Sequence, residues 1–129
     1  SIKDFGVVIS VEEFLSEVEN SSELKTKINY NTDIRLQDDI ELNVYRIIQE
    51  AVNNVVKHAN ATQVLVNLQF DTSYLHIRII DDGIGFSNSE YFYGIGLRTM
   101  QTRSKRIHAK LNIYSSEKGS TIDLSVPIT

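Results

Sequence analysis

A helical stripe of apolar residues opens the chain after Ser10: Val11, Phe14, Leu15 and Val18. Ser10 and Glu13 have the spacing of a capping box, in which each side chain bonds a free backbone N–H of the first helical turn. The pattern therefore predicts a short helix that begins at Ser10.

A second, longer stripe predicts the main helix of the chain, over about residues 39–59. Asp38 and Glu41 form a capping pattern at its start. The apolar positions that follow at helical spacing are Ile40, Val44, Ile47, Ile48, Ala51, Val52, Val55, Val56 and Ala59.

Strict alternation of apolar and polar residues predicts strands. Residues 25–31 alternate, with Ile28 and Tyr30 on one face. Residues 64–70 and 75–79 alternate around the turn at 71–73, and two further strands, 111–114 and 121–126, flank a turn at 117–119. A helix face lies between the two pairs, at Leu97, Met100, Ser104 and Ile107.

The predicted order is helix, strand, helix, two strands, loop, helix and two strands. Paired strands mixed with helices indicate an α+β fold, a two-layer sandwich with helices on one face of a largely antiparallel sheet. With 129 residues and no linker or repeat, residues 1–129 are expected to form a single domain.

Composition removes several classes of function. A net charge of −4 and a pI near 5.3 argue against a nucleic-acid-binding surface. The absence of cysteine excludes disulfides, thiol nucleophiles and thiolate metal sites. No apolar run reaches the length of a membrane span, and the N-terminus lacks a signal pattern, so we expect a segment that is neither exported nor membrane-inserted.

Candidate chemistry begins on the long helix, where about 100° per residue aligns one stripe of polar side chains. We call this stripe the polar rim: Asn43, Arg46, Glu50, Asn54 and Lys57. Glu50 can accept a proton, Asn54 can offer an oxygen to a hard cation such as Mg²⁺, and Lys57 can meet a phosphate. A solvated helix face is the alternative.

The chain has two pairs of closely spaced glycines, the first after a predicted strand and the second after a predicted loop. In Asp81-Asp82-Gly83-Ile84-Gly85, the glycines allow close approach to a ligand, and Asp81 can accept a hydrogen bond from an exocyclic amine such as that of adenine. Gly94-Ile95-Gly96-Leu97 opens a helix, whose free N–H groups favour anions. Ordinary turns are the alternative for both motifs. Neither is a P-loop nor a complete G-x-G-x-x-G.

These motifs together resemble the GHKL ATP-binding superfamily. The segment 46–59 resembles its N-box, in the form E-A-x-x-N-x-x-K-H-A that is similar to histidine kinases of the nitrate-sensor and lipid-desaturase-sensor class. D-D-G-I-G-F, G-I-G-L and the final Gly119-Ser-Thr121 resemble the remaining boxes, in family order. The resemblance covers about residues 8–129 and implies the Bergerat fold, with ATP between the N-box helix and a lid at about 86–93.

The resemblance also implies residue roles. Glu50 would act on the proton of the phosphoacceptor, Asn54 would ligate Mg²⁺, and Asp81 would bond the adenine amino group. The remaining residues would line the ATP site: Lys57, His58, Gly83, Gly85, Gly94, Ile95, Gly96, Leu97 and Thr121. The chain departs from the family at Thr99, at Gln101 and at His108-Ala109-Lys110, which replaces a usual Gly-Gly turn.

The resemblance further implies that the chain is the catalytic module of a longer sensor kinase. Such a module transfers the γ-phosphate of Mg-ATP to a histidine on a separate dimerisation domain, and it acts on a response regulator only indirectly. We expect a cytoplasmic, monomeric fragment that does not phosphorylate itself and contacts neither nucleic acid nor a membrane. A membrane anchor elsewhere in the parent protein is compatible with this expectation. A stand-alone GHKL serine kinase or ATPase, or a nucleotide-sensing module without catalysis, remains an alternative.

Overall fold

A five-stranded mixed sheet with helices on one face is the architecture of the computed structural model, which describes residues 2–85 and 95–129. This arrangement confirms the predicted α+β class and the predicted order of elements. The elements are α1 (Ile2–Ser21), β1 (Lys25–Tyr30), α2 (Asp38–Asn54), a π-helical turn (Val55–Ala59), β2 (Gln63–Phe70), β3 (Tyr74–Asp81), α3 (Ile95–Arg106), β4 (Lys110–Ser116) and β5 (Gly119–Pro127).

The strands lie in the order β1-β2-β3-β5-β4. β1 runs parallel to β2, because α2 crosses between them, and the other pairs are antiparallel. The last strand therefore lies between β3 and β4. Its first residues come beside the end of β3, where the register pairs Asp81 with Ser120.

Alternation along the strands separates a covered face from an open face. Val64, Val66 and Leu68 of β2 are buried and join the core formed with the helices. On the open face, Arg78 of β3 donates two hydrogen bonds to the carboxylate of Asp123 on β5, at 2.7 and 3.0 Å. The site must lie on the covered face or at its end, since the helices approach only there.

The start of the first helix corrects a prediction. Ser10 does not cap a helix, because it lies inside α1 and is only 7% exposed. Val7 and Val8 are also buried, so the apolar face of the helix extends upstream of the predicted start. α1 begins at Ile2 and is interrupted at Gly6, which has a φ of 82°.

The long helix is confirmed over residues 39–59, with two differences. Gln37, not Asp38, occupies the N-cap position and makes no side-chain cap. After Asn54 the helix continues as a π-helical turn, whose wider hydrogen-bond ring shifts Lys57 and His58 around the axis relative to a regular α-helix. Periodicity at 3.6 residues could not reveal this change.

No helix within residues 2–85 and 95–129 combines the length and apolarity that a bilayer crossing requires.

Candidate functional site

A buried carboxylate ends the central strand β3. Asp81 is only 6% exposed and points to the covered face of the sheet. Its Oδ1 accepts a hydrogen bond from the backbone N–H of Gly83, at 2.8 Å. Burial raises the pKa of Asp81, the charge of Asp82 raises it further, and the backbone N–H groups of Gly83 and Ser120 oppose that rise. Such a carboxylate is poised to accept a hydrogen bond from a ligand that excludes water.

The turn after Asp81 is pressed against the end of the π-helical turn. Ile84 donates its backbone N–H to the carbonyl of Ala59, at 2.8 Å. A Cβ on Gly83 would lie 2.3 Å from that same oxygen, so only glycine fits there. Gly85 lies beside the backbone of Ser116 at the end of β4. The contact with Ala59 joins the strand carrying Asp81 to the helix that carries Asn54.

The start of α3 meets the polar rim directly. A Cβ on Gly96 would lie 2.6 Å from Oε1 of Glu50 and 3.0 Å from Nδ2 of Asn54. Glycine thus lets the backbone at the helix start approach a carboxylate and an amide together. Asn54 is buried, Glu50 is half-buried, and neither side chain makes a hydrogen bond or ion pair with another residue in the described part of the chain.

The other residues of the polar rim differ in their contacts and exposure. Asn43 is buried and accepts a hydrogen bond from Arg103 of α3, at 3.2 Å, so it holds the two helices together. Arg46 donates to Gln49 and lies over the ring of Tyr45. Lys57 is exposed on the π-helical turn, and His58 beside it is half-buried. The rim is therefore partly a packing surface, and Glu50 and Asn54 are the residues of it that lie against Gly96.

Thr121, which was predicted to line the site, lies on the opposite face of the sheet from Asp81. Thr121 pairs with Ile80 on the open face, whereas Asp81 points to the covered face. The neighbouring Ser120 pairs with Asp81 and is buried. Its hydroxyl has no hydrogen-bond partner among residues 2–85 and 95–129. Alternation signalled this choice, because Ser120 shares its face with the apolar Ile122.

Part of the second glycine motif lies outside the described residues. Gly94 and the predicted lid at 86–93 fall there, and Ile95 is described only as the first residue of α3. Leu97 is half-buried and packs against the core. Within this motif, Gly96 is the residue that the structure places against Glu50 and Asn54.

A known protein family matches most of the chain. Residues 39–129 match the family described as "Histidine kinase-, DNA gyrase B-, and HSP90-like ATPase". The chain belongs to this family. The family match confirms the recognition predicted from the motifs, an ATP-binding domain of this superfamily.

The curated relatives of this ATPase-family domain include sensor kinases. The oxygen sensor histidine kinase NreB of Staphylococcus carnosus is 30% identical over 135 residues, which cover 100% of this chain and 38% of the relative. The sensor histidine kinase ComP of Bacillus subtilis is 31% identical over 97% of this chain and 17% of the relative. The chain thus spans well under half the length of these relatives.

Solved structures show the same fold. The catalytic domain of histidine kinase ThkA has a TM-score of 0.74 at 11% identity, covering 95% of this chain and 92% of that domain. A mycobacterial sensor histidine kinase, MprB, has a TM-score of 0.73 at 18% identity, covering 92% of each. The ATPase-family domain therefore shares the fold of these histidine kinase domains.

The two neighbouring acids of the domain should affect stability in opposite directions. Because the pKa of Asp81 is raised, the folded chain holds that proton more tightly than the unfolded chain, and stability is lost as pH rises through the raised pKa. Hydrogen bonds from Thr62 and Gln63 lower the pKa of Asp82, so its contribution is present at neutral pH and is lost as pH falls through the lowered pKa.

We therefore expect Asp81→Asn to melt no lower than the wild type at pH 7 and Asp82→Asn to melt lower. In thermal melts at decreasing pH, the Asp81→Asn difference should shrink as pH falls through the raised pKa of Asp81. The Asp82→Asn difference should persist until pH falls below the ordinary aspartate value of 3.8. A clear loss of stability in Asp81→Asn at pH 7 would show that its charge supports the fold instead of burdening it.

Proposed function

We propose that this domain binds Mg-ATP between α2 and the two glycine turns, and transfers the γ-phosphate to a histidine on a separate dimerisation domain. The parent would be a sensor kinase of a two-component system, with a response regulator as the later acceptor. The family match and the sensor-kinase relatives support this proposal.

One observation carries the proposal: Gly96 lies against both Glu50 and Asn54. A helix start offers free N–H groups and a positive dipole end to phosphate oxygens. Here that helix start is next to a carboxylate that can take a proton and an amide oxygen that can ligate a cation. Phosphoryl transfer needs this combination of charge stabilisation and positioning, and little covalent help from the protein.

The donor set suits a magnesium ion held mainly by its nucleotide. Asn54 supplies one neutral oxygen, and the described residues contain no cluster of three or more His, Cys, Asp or Glu side chains. Mg²⁺ is usually held by one or two protein oxygens, together with substrate phosphates and water. When bound, the ion would neutralise charge on the phosphates. Asn54 would hold it, and Lys57 and the N–H groups at the start of α3 would contact the phosphates.

The other end of the site suits a purine. Asp81 is a buried acceptor, and the hydroxyl of Ser120 is buried beside it without a described partner. Buried polar groups in native proteins are nearly always hydrogen-bonded, so this pair favours a polar ligand group there. We assign Asp81 to the adenine amino group and Ser120, in place of Thr121, to the same end of the pocket.

Glu50 would act on the acceptor. A nitrogen of the acceptor imidazole forms a bond to the γ-phosphorus, the bond from that phosphorus to the bridging oxygen breaks, and ADP leaves with the electron pair. Glu50 orients the acceptor imidazole or receives the proton on its other nitrogen, which keeps the attacking nitrogen nucleophilic. The side chain of Glu50 projects from α2, is half-buried, and lies beside Gly96 at the start of α3, which suits it to this role.

Transfer in trans tests the proposal. The chain is incubated with γ-labelled ATP, alone and with a histidine-bearing dimerisation domain of a related kinase. We expect no stable acid-labile label on the chain alone, and label on the histidine of the added domain. Acid-labile label on the chain itself would refute transfer to a separate domain, and nucleotide binding without any transfer would indicate a sensing module. Label on serine, or release of phosphate only, would favour a serine kinase or an ATPase.

A further inference from the structure

An arginine before α2 holds the first residues of the chain. Arg35 donates to both carboxylate oxygens of Glu41, from Nε at 3.0 Å and from Nη2 at 3.1 Å. The same guanidinium donates to the backbone carbonyls of Lys3 at 2.8 Å and Asp4 at 3.2 Å. One side chain thus bridges the first turn of α2 and the segment Ile2–Phe5.

The acceptor of this bridge is firmly placed. Glu41 is only 1% exposed, although it is a carboxylate on the first turn of a helix. Its Oε2 also accepts the backbone N–H of Leu36, at 3.2 Å. A buried charge of this kind is tolerated when it is paired and hydrogen-bonded, so Glu41 fixes the position of Arg35.

The segment Ile2–Phe5 ends at a break in the helix at Gly6, and the side chain of Arg35 lies beside that break. Gly6 has a φ of 82° and a ψ of −178°, a backbone conformation that is essentially restricted to glycine and that breaks the helix at this point. A Cβ at Gly6 would lie 2.8 Å from Cδ of Arg35. The guanidinium meets helix carbonyls just before the break, where a cation is favourable. The segment and the body of α1 are therefore separate helical pieces, with Arg35 at their junction.

We propose that Arg35 is a positioning residue that sets the direction of the segment Ile2–Phe5 relative to α2. This helix also carries Glu50, nine residues after Glu41. If the proposed function holds, on which this step rests, Arg35 thereby sets how an upstream histidine-bearing domain is presented to Glu50. Breaking the bridge leaves the nucleotide site intact and frees the segment to swing about Gly6.

The direction of the segment is measurable on this chain alone. The chain has no cysteine, so single cysteines at exposed Lys3 and Arg46 can carry spin labels without background. Pulsed electron paramagnetic resonance should give a narrow Lys3–Arg46 distance distribution, which Arg35→Met broadens or shifts. A reference pair, Glu12–Arg46, should stay narrow, because Glu12 lies beyond the break.

Arg78→Met is the matched control. Arg78 forms an equivalent two-bond pair with Asp123 on the open face, and its loss should leave both distributions unchanged. Arg35→Lys covers the case in which Arg35→Met does not fold, since one ammonium cannot replace the fork that reaches both partners. Broadening of the Lys3–Arg46 pair is again expected. An unchanged Lys3–Arg46 distribution in a folded Arg35 variant would overturn the proposal.

Transfer kinetics test the consequence. With the acceptor domain added separately, Arg35→Met should leave kcat, KM and nucleotide affinity unchanged. With the acceptor domain joined directly before residue 2, the variant should transfer about tenfold more slowly, because the reacting groups are no longer aligned. Equal losses in both formats would indicate a structural defect and contradict a positioning role. A wild type that transfers in neither format would refute the proposed function while leaving the distance result intact.

Discussion

Asp81→Asn should lose ATP binding while the domain stays folded. The asparagine can keep the hydrogen bond from Gly83, but it places an N–H group where the adenine amino group needs an acceptor. A hydrogen bond to a charged group contributes about 1.5–3 kcal/mol, and its loss weakens binding roughly 12- to 140-fold. Titration with a fluorescent ATP analogue measures the affinity, and circular dichroism checks the fold.

Asp123→Asn makes the same change of charge on the open face and should bind ATP like the wild type, because Asp123 pairs only with the exposed Arg78 among the described residues. A second comparison separates the two residues of the last motif. Ser120→Ala should weaken binding, whereas Thr121→Ala should not, since Thr121 lies on the open face. Unchanged affinity in Asp81→Asn would remove the adenine assignment.

Glu50→Gln should reduce phosphoryl transfer to a histidine-bearing domain by about 100-fold or more, which is the usual effect of losing a general base. The amide keeps the size of the side chain and its place beside Gly96, but it cannot take the imidazole proton. Nucleotide affinity should change little, since the proposed contacts to ATP come from other residues. Single-turnover transfer with labelled ATP gives the rate, and the same titration gives the affinity.

Glu12→Gln is the control for this variant, because Glu12 is exposed on α1, and it should transfer at the wild-type rate. Equal loss of binding and transfer would mean that Glu50 supports the pocket instead of the proton.

Local patterns foretold most elements of the fold. The helical period of residues 40–59 and the alternation of residues 64–79 arise from burial of one face of each element. In the structure, α2, β2 and β3 each bury one face. Residues near an interruption were harder to place. The apolar face of α1 continues upstream past Ser10 to Val7, so the S-x-x-E spacing of Ser10 and Glu13 was misleading.

Contacts between distant residues decided what local patterns could not. Glu41 looked like part of a capping box, but its carboxylate accepts hydrogen bonds from Arg35 and from the backbone N–H of Leu36. Asn43 looked like part of the chemical stripe, but it joins α2 to α3 through Arg103. Each of these roles depends on a partner whose position no spacing along the chain can give.

By itself, the sequence determined the α+β class, the order of helices and strands, and the motifs that mark an ATP-binding domain, because periodicity and glycine turns act over a few residues. Only the tertiary structure decided the strand order, the π-helical turn after Asn54, the register that pairs Ser120 with Asp81, and the approach of Gly96 to Glu50. The physical reason is that these features depend on sheet register and helix packing, which bring together residues that lie tens of positions apart in the chain.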